Sequence, residues 1–219
     1  IIQHNTSGII SLKSKGITSP KKLEGKTYAT WDMPVEKAMM KYVMEKDGGD
    51  FSKLNMAPTN VDDVVTALKT NIDAVWIYYA WDGIATKVKG IDTNYWEFKD
   101  IDPVFDYYTP VIIANNTFLK EKPDIAKKFL AATKKGYEYA IKNPEKAADI
   151  LCAADKTLDK KIVLESQKWL STRYKAEVSR WGYIDAKRWD AFYSWLYKQK
   201  LIDNEIPAGT GFSDDYLPE

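Results

Sequence analysis

The sequence predicts an α/β protein made of one complete small α/β lobe and an incomplete second lobe that ends in helices. Three observations carry this expectation. Between about residues 16 and 106, short β-branched and aromatic runs alternate with helical stretches. From residue 123 onward the apolar residues keep helical spacing. The helices of that second half have only three candidate strands to lean on, which is an unfinished layer.

Taken in order, residues 1–5 and 9–13 read as short strands joined by a polar turn at residues 5–8. Ser19-Pro20 fits an N-cap with proline at the first helical position, and Gly25 ends the single turn. Residues 26–31 form a β-rich run, and Trp31-Asp32-Met33-Pro34 leads into a helix to about Lys46, closed by Gly48-Gly49. Residues 54–57 read as a short strand. Asn60 is then expected to cap a helix whose Val61, Val64, Val65 and Leu68 share one face. Residues 73–78 are a continuous apolar strand of the kind covered on both faces. A short helix over 81–89 ends at Gly90, and 94–99 is another strand. This alternation predicts a parallel sheet.

Residues 109–115 are the third candidate strand of the second half. Ile125, Phe129, Ala132, Thr133, Gly136, Tyr137 and Ala140 then share one face of a helix ending at Asn143. Asn143-Pro144-Glu145 opens the next, Ile162, Val163, Ser166, Trp169 and Leu170 mark a third, and Asp185 caps a fourth with Trp189, Phe192, Tyr193 and Leu196 inward. The tail, 206–218, is turn-rich. The simplest account is a two-lobe protein cut before residue 1. Residues 1–15 are then remnant and hinge strands of the first lobe, 16–106 the second lobe, and 107–219 the return strand and helices of the first.

Composition excludes several functions. Thirty-two basic against 31 acidic residues leave a net charge of +1, which does not fit a nucleic-acid or membrane-surface binder. The longest apolar run, residues 74–81, has eight residues against the ~20 that span a bilayer. Cys152 is the only cysteine and His4 the only histidine, so neither an intrachain disulfide nor a Cys/His zinc site is available. Any histidine-based triad would have to use His4. His4 reads as a half-exposed strand residue and Cys152 as a small packing residue. No metal or cofactor is expected.

Several stretches together resemble a known family. They are residues 16–26 (Gly-Ile-Thr-Ser-Pro-Lys-Lys-Leu-Glu-Gly-Lys), Tyr79-Ala80-Trp81-Asp82-Gly83, residues 106–115, the run 123–151, and Trp181-Gly182-Tyr183 with Trp189, Trp195-Leu196 and Leu201-Ile202-Asp203. In this order they resemble the thiamine-precursor and alkanesulfonate-type solute-binding proteins of bacterial ABC importers, nearest the branch that binds the thiamine pyrimidine precursor. The resemblance implies a periplasmic-binding-protein type II fold, two α/β lobes closing over a small heterocycle. It also implies an ABC permease as partner, a location outside the cytoplasm (periplasmic or lipid-anchored), no enzymatic activity, and further chain before Ile1. Two other functions share this fold. A fungal-type pyrimidine synthase uses a cysteine-rich motif and an active-site histidine. The effector domain of a transcription regulator needs an upstream helix-turn-helix.

In such a fold the ligand meets hinge segments and the loops after strand C-termini. Trp31-Asp32 and Trp81-Asp82 each stand between a strand and a helix, while Tyr78, Tyr107 and Tyr108 flank the second loop and the return crossing. A flat aminopyrimidine needs aromatic faces for stacking and a carboxylate to accept from its N–H groups. Asp82 stands where relatives usually place Glu. Asp32 is a ligand contact or a helix N-cap; Asn5, Thr6 and Ser7 are hinge donors or ordinary turn residues. Trp76 is assigned to the core, Trp169, Trp189 and Trp195 to helix packing, and Trp96 and Trp181 stay open. The unfinished lobe is expected to expose an apolar face through which a homodimer forms.

Overall fold

The computed structural model describes residues 2–59 and 61–218. The chain divides into two compact units, each treated separately below. One comprises Thr6–Phe105 with Trp195–Asp203 and is called the sheet unit; the other, Ile1–Asn5 with Asp106–Ser194 and Asn204–Glu219, is the helical unit.

The sheet unit holds β1 (Ser7–Leu12), β2 (Thr27–Thr30), α1 (Pro34–Lys46), β3 (Asn55–Pro58), α2 (Val64–Ala67), β4 (Ala74–Tyr78), α3 (Ile84–Val88), β5 (Thr93–Glu97) and α4 (Phe98–Ile101). Its strand order is β3-β2-β4-β1-β5. β2 runs parallel to β3 and β4, as the alternation predicts, but β1 lies antiparallel between β4 and β5. This corrects two expectations: the sheet is mixed, and the strand expected at 9–13 belongs to this unit. Residues 7–11 are buried throughout, as a strand paired on both edges and covered on both faces must be. Gly8 permits the pairing, because a Cβ there would sit 2.1 Å from the backbone oxygen of Trp96.

Alternation along the strands sorts the core. Ile10, Val75, Ile77 and Ala29 pack with Val64, Leu68 and Ile72 of the α2 region. The register puts Ile9, Trp76 and Trp96 side by side on the opposite face. There Trp76 meets Phe98 at 4.2 Å between ring centroids, and Phe105 meets Trp195 edge-on at 5.1 Å. Trp76 is thus a core residue, as expected; Trp195, expected in helix packing, and Trp96, left open by the sequence, join it in this core. Asn60, the expected cap of α2, lies outside the described residues; Asp63 caps that helix by accepting from Thr66 N–H at 2.8 Å. The strand expected over 94–99 ends at Glu97, and Phe98 opens α4.

The helical unit contains α5 (Asn116–Glu121), α6 (Pro123–Lys142), α7 (Pro144–Ala154) and α8 (Lys160–Ser171), and α9 (Ala186–Lys198) begins in it. These match the helical spacing read from the sequence. The strands do not. Residues 2–5 are irregular, Ile1 lies outside the described residues, and 109–115 is irregular as well. A strand needs a neighbour for its N–H and C=O groups, and no strand is found among the described residues of this unit. Residues 110–118 are accordingly exposed, Ile113 to 88%. The apolar face of α6 is exposed too at Ile125 and Phe129, while Ala126 is buried. The Arg173 guanidinium lies 3.6 Å over Trp169, and Trp181, left open by the sequence, is buried against Tyr137.

His4 is not a strand residue. Its Nδ1 lies 2.6 Å from Asp106 and its Nε2 2.7 Å from Glu177. Asp106 also accepts from Asn5 N–H at 3.0 Å and from Arg188 at 2.9 Å. Only an imidazolium donates from both nitrogens. The bond to Asp106 raises the His4 pKa, with Glu177 and the Asp106 charge adding to it, while burial and Arg188 oppose.

Two outcomes follow from this packing. Ile10→Ala, at a fully buried position, should cost about 2–5 kcal/mol in urea unfolding; a loss below about 1 kcal/mol would contradict the core assigned here. Because the His4 pKa is raised on folding, its contribution is complete below its ordinary value of 6.5 and fades as pH rises through the folded value. The stability advantage of the wild type over His4→Asn should therefore shrink on alkalinisation, and an advantage independent of pH would refute the imidazolium.

Candidate functional site

The C-terminal ends of β2 and β4, parallel neighbours in the sheet, carry the candidate residues of the sheet unit. β2 ends at Thr30, and Trp31-Asp32-Met33 turn the chain into α1, with Pro34 at its first position. The turn is organised by Glu36, a residue that sequence reasoning missed. Its side chain is buried, and its carboxylate accepts from Tyr28 OH at 2.6 Å, Thr30 OH at 2.8 Å, Trp31 N–H at 3.1 Å and Met33 N–H at 3.4 Å. Burial, reinforced by the Glu36 charge, pushes the Tyr28 phenol above its ordinary pKa and keeps it a donor. The available signal was Glu two positions after the proline that opens a helix, the acidic partner of a capping box.

Glu36 also decides the role of Asp32. The helix N-cap is Met33, and the N–H groups of Trp31 and Met33 on either side of Asp32 go to Glu36. Asp32 instead adopts a left-handed backbone (φ 62°), donates its N–H to Thr30 Oγ1 at 2.9 Å and pairs with Lys37 at 2.5 Å. The turn leaves Trp31 45% exposed, with its ring centroid 5.6 Å from that of Trp76.

β4 ends at Tyr78 and is followed by one wide turn, Tyr79–Gly83, before α3. Gly83 is required there, since a Cβ would fall 2.3 Å from the Tyr79 ring. That ring packs on Tyr95 at 4.8 Å. Thr6 C=O accepts both Tyr79 N–H (3.1 Å) and Tyr95 OH (2.6 Å), and Ser7 stands opposite Tyr78 in the ladder. The structure thus brings the buried Thr6 and Ser7 to the end of β4, beside Tyr78 (42% exposed), Trp81 (45% exposed) and Asp82. Desolvation raises the Asp82 pKa; hydrogen bonding to the Tyr78 backbone opposes this, and the Asp63 charge adds to it.

Asn5, Tyr107 and Tyr108 belong to the helical unit and are engaged there. Tyr107 stacks on Phe192 at 4.2 Å, and the Tyr108 hydroxyl accepts from Asp185 N–H at 2.8 Å under the Arg188 guanidinium. With Trp189 and Tyr193 these rings surround a space of about 50 Å³, room for a few water molecules. Among the described residues, no three His, Cys, Asp or Glu side chains are grouped as metal ligands would be, and no helix is long and apolar enough to cross a membrane.

A family model described as NMT1/THI5 like matches residues 1–147, more than half of the chain. The chain belongs to that family. The formylaminopyrimidine-binding protein of Halalkalibacterium halodurans is 25% identical across 97% of this chain, and the chain spans 66% of that relative's length. The periplasmic aliphatic sulphonate-binding protein SsuA of Escherichia coli superposes with a TM-score of 0.68 at 13% identity, over 92% of this chain and 63% of SsuA. The fold is therefore the periplasmic-binding-protein type II fold that the sequence resemblance implied. The desulfurization enzyme DszB shares it too, with a TM-score of 0.59 at 11% identity over 93% of this chain and 72% of that one. The fold alone is thus compatible with catalysis as well as with binding.

The four donors converging on Glu36 make it the anchor of the Trp31 turn. Glu36→Ala should cost at least about 3 kcal/mol, since it leaves buried donors without an acceptor. Chemical denaturation showing a cost below about 1 kcal/mol would remove Glu36 from that role.

Proposed function

We propose that this chain is the solute-binding component of an ABC importer, acting outside the cytoplasm and taking up a small, flat nitrogen heterocycle such as a thiamine pyrimidine precursor. One observation carries the reading. Three large aromatic side chains, Trp31, Tyr78 and Trp81, stay 42–45% exposed at the ends of two adjacent parallel strands, with the carboxylate of Asp82 in the same turn as Trp81. Exposed aromatic surface beside an acid suits a ligand with a π face and N–H donors. Stacking is worth about 1–3 kcal/mol per ring in nucleic-acid sites. A hydrogen bond to a charged acceptor adds about 1.5–3 kcal/mol.

The formylaminopyrimidine-binding relative supports this ligand class over the sulfonates of SsuA. In the same reading Asp32, with Lys37 as its present partner, borders the ring, and Thr6 and Ser7 support the head of β1. An ABC permease is the partner that receives the ligand, and a lipid anchor or the periplasm keeps the protein near it. A homodimer through the exposed apolar residues Ile113, Ile125 and Phe129 belongs to the proposal as well. No chemical step is assigned: both nitrogens of His4 are occupied by carboxylates.

Isothermal titration with 4-amino-2-methylpyrimidine tests the site. Asp82→Ala should weaken binding by about tenfold or more, equivalent to about 1.4 kcal/mol, with the fold unchanged by circular dichroism. Unchanged affinity would remove Asp82 from the site. Sedimentation velocity should show a dimer that Ile113→Lys with Phe129→Lys dissociates; a monomeric wild type would refute the interface.

A further inference from the structure

We infer that His4 works as a pH-operated catch: protonated, it holds Glu177 and with it the segment 175–179; neutral, it lets Glu177 go and keeps Asp106. The inference does not depend on the proposed ligand, and all its parts lie in the helical unit. The segment runs between two fixed points. Tyr174 packs edge-on against the Tyr137 ring at 4.9 Å, and Arg180 donates to Leu217 C=O at 2.9 Å. Between them Lys175 and Ala176 both take left-handed backbone, with φ of 66° and 45°, a strained conformation for residues with side chains. Two hydrogen bonds join this stretch to the start of the chain: Lys175 N–H to Ile2 C=O at 2.9 Å, and His4 Nε2 to Glu177 at 2.7 Å.

Three charged side chains face the imidazole: Asp106 from the chain crossing, Glu177 from the segment and Arg188 from α9. As an imidazolium, His4 donates to both carboxylates; as a neutral ring it keeps one proton. The geometry decides which carboxylate retains it. Asp106 Oδ1 is held by Asn5 N–H at 3.0 Å and by Arg188 at 2.9 Å, and its Oδ2 stands 2.6 Å from Nδ1. Arg188 is fixed in turn by the Asp106 carbonyl and the Tyr108 ring, and Asp185 is occupied with the Arg188 N–H. The Asp106 side chain is 18% exposed and that of Glu177 68%, so Glu177 is the one that exchanges its partner for water at little cost. The proton therefore remains on Nδ1, Nε2 turns a lone pair toward Glu177, and the strained segment loses one of its two ties. The Asp106 and Glu177 bonds raise the His4 pKa against burial, and the His4 bond lowers that of Glu177. The catch is thus fully closed below the ordinary histidine value of 6.5 and opens as pH rises through the raised folded value. Asn5 and Asp106, which stand at two crossings between the units, stay joined throughout.

Nitrogen NMR on protein labelled at histidine reads the switch directly, because His4 is the only histidine. With rising pH the imidazolium should pass to the tautomer protonated at Nδ1, with Nε2 bare. A neutral ring protonated at Nε2 would overturn the inference, since Asp106 would then be the carboxylate released. Hydrogen exchange, corrected for base catalysis, follows the segment. Protection of the Lys175 amide should fall about tenfold or more across the His4 titration, through loss of one charge-assisted hydrogen bond. Protection that stays constant would overturn the inference as well. Glu177→Gln supplies the control. Its side-chain amide accepts from the imidazolium and donates to the bare Nε2, so the segment should stay protected on both sides of the titration. A fall in protection that persists in this variant would refute the catch, and should the variant not fold, the wild-type tautomer and exchange decide alone.

Discussion

The buried carboxylate of Glu36 is the constraint on which the candidate site depends. A strand that ends under a helix must turn sharply, and the turn exposes N–H groups that need an acceptor. One acid on the first turn of α1 collects them, together with the hydroxyls of the two β2 residues that face it. With those bonds made, Asp32 can hold its left-handed backbone and Trp31 can stand half out of the protein. A large ring so exposed loses burial that it would gain in the core. That exposure beside an internally satisfied turn is the observation on which the proposed ligand surface rests.

The second turn solves the same problem differently. After β4 the chain widens into a single broad turn closed by Gly83, whose missing side chain lets the Tyr79 ring fold back. Tyr79 and Tyr95 both bond to the carbonyl of Thr6 through N–H and O–H, so the head of β1 is tied to the end of β4. Tyr78, Trp81 and Asp82 are therefore presented by a backbone fixed on both sides. Two turns, one stabilised by a carboxylate and the other by aromatic packing, deliver three exposed rings to the same end of one sheet.

Much of this was legible in the sequence because it is local. Helix spacing over α6 to α9, the continuous apolar run of β4 and the Trp-Asp pairs after two strands all follow from residues near one another in the chain. What was not legible depends on distant partners. Residues 9–13 read as a strand, but the place of β1 between β4 and β5 is decided by contacts with residues about sixty to ninety positions away. Residues 109–115 have the composition of a strand, yet backbone hydrogen bonding needs a neighbour that composition does not reveal. Glu36 drew no assignment from the sequence, and only the fold shows its four donors. His4 likewise acquires its two carboxylates from positions about a hundred residues or more further on.

The most direct measurement is fluorine NMR of the protein with 5-fluorotryptophan at its eight tryptophans, assigned by single Trp→Phe substitutions and titrated with 4-amino-2-methylpyrimidine. A ligand seated on the exposed ends of β2 and β4 shifts the Trp31 and Trp81 resonances and leaves the buried Trp181 and the Arg173-covered Trp169 in place. Shifts confined to Trp169, Trp181 or Trp189, with Trp31 and Trp81 unmoved, would contradict the site.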